Sequence, residues 1–459
     1  MTEAPAGLRE EWAGRRVLVV GLGASGYAAA CALVDLGAKV EVTESAAGPP
    51  LGERAERLRR AGAKVTIGGH DLEGTHAELA IVSPGIPPQA PVIRALERSG
   101  VTIWSEVELA WRMARCDFLA VTGTNGKTTT TGWLAAMLEA GGIPSAAAGN
   151  IGRPLVEAVR TVPEGGAIAV ELSSFQLAGT VELRPRVAVM LNVAQDHTDW
   201  HGSFEDYAAA KARLIANQTA DDVFLPNHAD ERAMAIAHGA APRVVPFSAV
   251  TMPAGGIGVE GTSVIFEGLE VFDVSDVAIP GRAALEDAIA AAGAALCYGV
   301  ARDSVAGAVR SLVPPPHRLE IVGEAEGVTY IDDSKATNPH ATLTAVQGFE
   351  EVVLIAGGRS KGNDLSVLRS AVPPVVAVVA MGEAAGEIED AFGGLVPTMR
   401  ATDMDAAVGI ARRQSGPGRS VLLSPGCASL DMYSSYAERG RRFKSAVRAL
   451  IESEEGMQG

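Results

Sequence analysis

Residues 119–130, LAVTGTNGKTTT, combine the types best suited to phosphate chemistry. A short apolar run ends in a turn holding Gly123 and Gly126, followed at once by Lys127 and a row of threonines from Thr128. That order predicts a strand, a phosphate-cradling loop and a helix start. Glycines let backbone N–H groups curl towards a phosphate. Lys127 offers a point charge to β/γ phosphates, and Thr128 a hydroxyl to Mg²⁺. The usual spacing, G-x-x-x-x-G-K-[ST], needs glycine at 121, where Val121 stands, so this loop is tighter.

Further polar clusters follow apolar runs. Glu171 ends AIAVE, and Asp196, His197, Asp199 and His201 lie just beyond VAVML. Mg²⁺ ligands must come from strand ends beside a phosphate loop. Glu171 suits such a hard ion. His197 suits it less, and Asp196 competes with it; otherwise His197 caps a turn. Zn²⁺ is admitted by residue type, though no helical H-x-x-x-H or cysteine pair supports it. In FEDYAAAKARLI, Tyr207 and Lys211 share a helix face at i,i+4, and spacing alone makes Lys211 a solvated lysine. Near the start, Gly21, Gly23 and Gly26 form G-x-G-x-x-G after a strand, and a second strand ends at Glu44. Taken alone this suggests an NAD-linked oxidoreductase, but any nucleotide diphosphate satisfies the helix N-terminus it builds. The last third adds His317 and Arg318 just after the Pro cluster, at a domain joint, and three polar strand ends: Asp332 to Asn338; Arg359, Lys361 and Asp364; and SPGCASLDMY. Cations with glycine and Ser/Thr suit a small dianion or a phosphate.

The elements that must carry these groups are legible as apolar runs such as RVLVV, DFLAV, GAIAV, RVAVML, EVVLIA and SVLL, each followed by a turn and an Ala/Leu-rich stretch. Continuous apolar strands alternating with helices predict parallel sheets covered on both faces, an α/β fold. A length of 459 residues suggests three domains. We place them at 1–110 (Rossmann-like), 111–314 (a P-loop ATPase-type parallel sheet) and 315–459 (Rossmann-like α/β). The net charge of -16 argues against nucleic acid or an anionic membrane as partner. The uncharged run from Val17 to Val34 is interrupted by glycines and a serine, and reads as strand, turn and helix rather than a span. The acidic start, MTEAPAGLREEW, is unlike a signal peptide, and four scattered cysteines fit buried thiols in a reducing cytoplasm.

Taken in order, TGTNGKTTT, GNIG, ELSSFQL, LNVAQDHTDWHG, Y-x-x-x-K, PHR, DDSKATN, GGRSKG and SPGCASLDMY resemble the Mur ligases. GLGASG, SPGIPP and SEVELAWR narrow the resemblance to the branch that joins D-glutamate to UDP-N-acetylmuramoyl-L-alanine in peptidoglycan synthesis. The D-N-P-R motif of the diaminopimelate-adding branch does not occur. Folylpolyglutamate synthases share the ATP loop but not the first block.

The resemblance implies that ATP phosphorylates the L-alanyl carboxylate and that the amine of D-glutamate attacks the acyl phosphate. It places Gly123, Thr124, Asn125, Gly126, Lys127, Thr128, Thr129, Asp287, Arg318, Asp333 and Lys335 on ATP. Thr128, Glu171, His197 and Lys211 fall on metal, with two Mg²⁺ ions implied and Lys211 carbamylated by CO₂. Lys127, Asn150, His197 and Lys211 become the catalytic set. Gly23, Ala24, Ser25, Gly26, Glu44, Ser45, Ser83, Pro84, Gly85, Asn150, Ser173 and Gln176 face the UDP substrate. Thr337, Lys361, Ser429, Leu430 and Tyr436 face D-glutamate. A cytoplasmic monomer that closes around its substrates is expected. In one segment the chain departs from the family pattern G-x-H-N-x-x-N near adenine: GRAALEDA puts Ala283, Ala284 and Asp287 at the His, Asn and Asn positions. Weaker ATP binding or an altered nucleotide preference is expected.

Overall fold

The computed structural model describes residues 6–70, 72, 76–277, 281–313 and 316–458. The apolar runs become strands buried on both faces, as continuous apolar sequence requires, and they pair in parallel. Contacts divide the chain into two compact units, one of residues 1–273 with 288–309 and one of 274–287 with 310–459.

The first unit carries three sheets. A five-stranded parallel sheet runs in the order Lys64–Ile67, Lys39–Glu44, Arg16–Val20, Leu79–Val82, Thr102–Ser105. A six-stranded parallel sheet runs Arg243–Val244, Val223–Pro226, Val187–Met190, Asp117–Thr122, Ala167–Glu171, Ser145–Gly149. A small mixed sheet of Phe247–Ser248, Ile257–Glu260, Ser263–Phe266 and Leu269–Asp273 follows.

The first two sheets share one apolar core that includes Trp12, Trp104, Leu155, Val156, Ala158 and Leu172. The helix Glu106–Met113 joins them and is pinned by two buried acids. Glu106 accepts the Val156 N–H at 2.7 Å. Glu108 accepts N–H groups from Val181, Glu182 and Leu183 at 2.8–3.2 Å and pairs with Arg112.

The second unit holds a six-stranded sheet in the order Glu320–Ala325, Val328–Asp332, Ser420–Leu423, Val352–Gly357, Val375–Met381, Thr398–Arg400. Its first pair is antiparallel and the rest parallel. Among the described residues, no helix is long and apolar enough to cross a membrane.

Candidate functional site

Register places the chemistry of the six-stranded sheet. The strand Asp117–Thr122 lies between Ala167–Glu171 and Val187–Met190, pairing Val121 with Glu171 and Thr122 with Met190. The phosphate loop therefore leaves the sheet flanked by Glu171 and by the 191–201 segment, at the carboxyl edge where parallel sheets bind ligands. Gly126, at φ 84, takes the left-handed conformation that opens the helix Lys127–Ala140. Thr124 fixes the loop through Ala194 and through the Tyr207 hydroxyl at 2.9 Å. Asn192 accepts the Asn125 N–H at 2.8 Å.

Two lysines converge on one carbonyl. Lys127 Nζ donates to Gly123 O and Thr124 O, both at 2.9 Å. Lys211 Nζ donates to the same Gly123 O at 2.7 Å and lies 4.7 Å from the Tyr207 ring centroid. Lys211 is only 1% exposed, so the solvated lysine that helical spacing suggests is a buried one. The helix Phe204–Ala212 presents it under the phosphate loop rather than to water. Burial, reinforced by the Lys127 charge, pushes its ammonium well below the usual lysine range. Such a group is drawn towards the neutral amine, the form that reacts with CO₂.

Glu171 is also buried. One of its oxygens accepts the Asn150 side-chain amide at 2.8 Å, and the other is buried with no hydrogen-bond partner. A buried carboxylate oxygen left over beside a phosphate loop fits a hard divalent cation. The Thr129 hydroxyl is likewise buried and unpartnered. His197 has φ 52, and its Nε2 lies 3.7 Å from Asp196, so the two competing candidates stand side by side. Asp196 also acts electrostatically on Lys211 and Tyr207.

In the first sheet, Gly23 caps the helix Ala24–Asp35. A Cβ at Gly26 would sit 2.0 Å from Gly21 O, so that glycine is needed for close approach. Glu44 accepts N–H groups from Leu22 at 2.7 Å and Ala46 at 2.9 Å. Burial raises its carboxyl, but these donors and the Ser45 hydroxyl outweigh that and hold it below its usual range. Ser83, whose hydroxyl is buried and unpartnered, lines a cavity of about 250 Å³. Pro84, Ile86, Trp104, Phe175 and Trp200 line the same cavity. Gly85 is exposed on the adjoining turn. Ser173 and Gln176 form a reciprocal capping box on the helix Ser174–Ala178, so both have a local structural partner.

The second unit gathers the remaining candidates at its own carboxyl edge. Asp333 is buried, and burial pushes its carboxyl up to about 7 against the opposing Arg318 charge and the Ser424 hydroxyl at 2.8 Å. Lys335 Nζ lies 5.7 Å from the Tyr436 ring centroid. Ser429 is buried, whereas Lys361, Leu430 and Tyr436 are exposed. Lys361 holds φ 53, and Thr337 is half-buried. Asp287 is half-buried on the helix Arg282–Tyr298. Among the described residues, one cluster has ligand atoms within metal-binding reach: His317, Glu320 and Asp332. Lys444 Nζ already bonds both Glu320 oxygens at 2.7 and 2.6 Å, and His317 Nδ1 bonds Asp332 at 2.7 Å. The cluster is a closed ion-pair network. Sequence reasoning passed over Glu106, Glu108 and Arg439, whose burial no spacing announces.

Three family descriptions match the chain: "Mur ligase MurD-like, N-terminal domain" over residues 15–105, "Mur ligase middle domain" over 121–295, and "Mur ligase, glutamate ligase domain" over 317–427. The chain is 43% identical over 451 residues to the UDP-N-acetylmuramoylalanine--D-glutamate ligase of Frankia casuarinae, covering 95% of both. It is 38% identical over 470 residues to the enzyme of that name from Streptomyces coelicolor, covering 96% of this chain and 99% of the relative. Among solved structures, UDP-N-acetylmuramate-alanine ligase from Thermotoga maritima matches with TM-score 0.59 at 19% identity, covering 95% of this chain and 99% of that one. A pseudomurein peptide ligase type C from Methanothermus fervidus matches with TM-score 0.60 at 14% identity, covering 95% of this chain and all of the other. Both structures speak for the fold alone.

Proposed function

The chain belongs to the Mur ligase family, and from that premise we propose that it joins D-glutamate to UDP-N-acetylmuramoyl-L-alanine, with hydrolysis of ATP to ADP and phosphate. The observation that carries the reading is the 43% identity to a D-glutamate ligase across 95% of both chains.

A carboxylate is a poor electrophile, so the L-alanyl carboxylate oxygen must first take the γ-phosphoryl group as ADP leaves. The amine nitrogen of D-glutamate then bonds to the acyl carbon, and phosphate departs with the C–O electron pair. Lys127 and the loop N–H groups bind and orient the phosphates. Asn150 orients Glu171 through the 2.8 Å amide bond. Glu171, Thr128 and His197 are the residues to hold Mg²⁺, which when bound neutralises phosphate charge. The buried amine of Lys211 is the residue to take CO₂, becoming a carboxylate-like group that no longer repels Lys127. This accounts for a lysine buried beside Lys127, where burial and that like charge outweigh the pull of Asp196 and Glu171 on its ammonium. The second unit is to supply Arg318, Asp333 and Lys335 to nucleotide and Thr337, Lys361, Ser429, Leu430 and Tyr436 to D-glutamate. The first sheet is to supply Gly23, Ala24, Ser25, Gly26, Glu44, Ser45, Ser83, Pro84 and Gly85 to the UDP-sugar, with Ser173 and Gln176 at the muramoyl end.

Phosphate release with UDP-N-acetylmuramoyl-L-alanine, ATP and a panel of amino acids tests the reading. D-glutamate is expected to be the best acceptor. A better acceptor in the panel would overturn the assignment, and an absence of amino-acid-dependent release would overturn ligation altogether.

A further inference from the structure

Arg439 lies in the first turn of the helix Tyr436–Gln458, with Arg441 and Arg442 close behind in sequence. It alone of the three is sequestered, 2% exposed. Its guanidinium has no carboxylate within 4.0 Å among the described residues. It bonds instead to acceptors on three separate strand-end loops. Nε donates to Ser334 Oγ at 3.0 Å and Nη2 to Ser334 O at 2.9 Å. Nη1 donates to Cys427 O at 3.0 Å and Gly357 O at 3.4 Å. Ser334 in turn donates its hydroxyl to Tyr436 O at 2.8 Å, which ties the helix start to the same knot. Burial lowers the guanidinium to about 10, so it stays charged at neutral pH.

These three loops carry the groups assigned above to D-glutamate: Ser334 leads to Thr337, Gly357 to Lys361, and Cys427 to Ser429. The loops also zip to one another through Arg359 and Ala428, whose N–H groups bond each other's carbonyls at 2.8 and 3.0 Å. The next residue secures the docking of the helix. A Cβ at Gly440 would lie 2.2 Å from His317 Nδ1 and 2.7 Å from Asp332 Oδ2, so only glycine lets the turn carrying Arg439 come this close. A planar fork with five donors can register three loops at once, whereas an ammonium on a flexible stem cannot.

We infer that Arg439 is a positioning residue for amino-acid recognition: its guanidinium sets the mutual spacing of the loops bearing Thr337, Lys361 and Ser429. The inference rests on the D-glutamate reading of those loops.

The experiment compares wild type, Arg439→Lys, Arg439→Met and Ser334→Ala in steady-state ligation, varying D-glutamate, ATP and UDP-N-acetylmuramoyl-L-alanine in turn, with a thermal melt of each protein. Arg439→Lys keeps the charge and loses the fork. It is expected to fold and to raise KM for D-glutamate about tenfold or more, with KM for the UDP substrate unchanged, since that substrate is assigned to the first unit. Ser334→Ala, which removes one acceptor of the fork, is expected to shift the same KM in the same direction by less, and serves if Arg439→Met does not fold. A lowered melting temperature and active fraction with an unchanged KM for D-glutamate in Arg439→Lys would mark a merely structural arginine and overturn the inference. Wild-type inactivity towards D-glutamate would instead sink the functional reading, so the two failures are distinguishable.

Discussion

Replacing Glu106 by glutamine should stabilise the first unit at neutral and alkaline pH and change little in acid. Glu106 is buried in the shared core, and burial pushes its carboxyl from 4.5 to about 7, with the nearby Glu157 charge adding to the rise and the Val156 N–H opposing it. Its folded pKa is raised, and for an acid this means the native state holds a proton that the unfolded chain has released between 4.5 and 7. Stability is therefore complete below 4.5, falls as pH rises through that window, and stays lowered above it. At about 1.4 kcal/mol per pH unit, the penalty is about 3 kcal/mol above pH 7. Glutamine keeps an acceptor for Val156 N–H and, like the protonated acid, places a donor at the second, unpartnered position. The assay is urea unfolding of both proteins at pH 4.5, 6 and 8 by intrinsic fluorescence. All five tryptophans, at positions 12, 104, 111, 133 and 200, lie in the first unit, so the signal isolates its transition. The difference in favour of glutamine should grow from near zero to about 3 kcal/mol across the series. A difference independent of pH, or a variant less stable at pH 8, would refute the reasoning.

Lys211→Ala should abolish ligation and recover part of it with a short carboxylic acid at high concentration; retained activity without rescue removes Lys211 from the chemistry. Gly26→Ala drives a Cβ to within 2.0 Å of Gly21 O. It should raise KM for the UDP substrate and cost the first unit about 1–3 kcal/mol by urea unfolding, with KM for D-glutamate unchanged. Because Ala283, Ala284 and Asp287 stand where the family pattern has His, Asn and Asn, titrations should show weak binding of ATP or loss of preference over GTP, and Asp287→Asn should restore part of the difference. Ordinary, strictly ATP-selective affinity in the unaltered protein would remove that expectation.

The sheets were legible because strands covered on both faces leave uninterrupted apolar runs, and each run from RVLVV to SVLL does become a strand. The loop around Lys127 was legible for a related reason: glycines and a lysine between strand and helix serve few other purposes. Burial of polar groups was not legible. Lys211 occupies a helix position that pattern assigns to solvent, and only the overlying phosphate loop encloses it. Glu106 and Glu108 stand in EVELAWRM as an ordinary acidic first turn, yet their partners lie 50 and 73–75 residues away in sequence. Arg439 cannot be told from Arg441 and Arg442 until the loops it threads are in place.

The continuous core beneath the first two sheets bears on how this chain can be cut. The helices Ala24–Asp35 and Glu106–Met113 both pack on Leu155–Ala158, beyond the sequence position where a domain boundary near 110 would fall. A fragment ending there would leave Ala28, Leu33, Val107 and Ala110 without the side chains that cover them and strip Glu106 and Glu108 of their donors. Such a piece, expressed alone, would aggregate or recruit the missing segment from another chain. A fragment carried through 273, with 288–309 supplied, keeps that cover intact. The heritable module in this half of the molecule is thus the pair of sheets together, and recombination between relatives should preserve function when its crossovers spare the seam at 106–183.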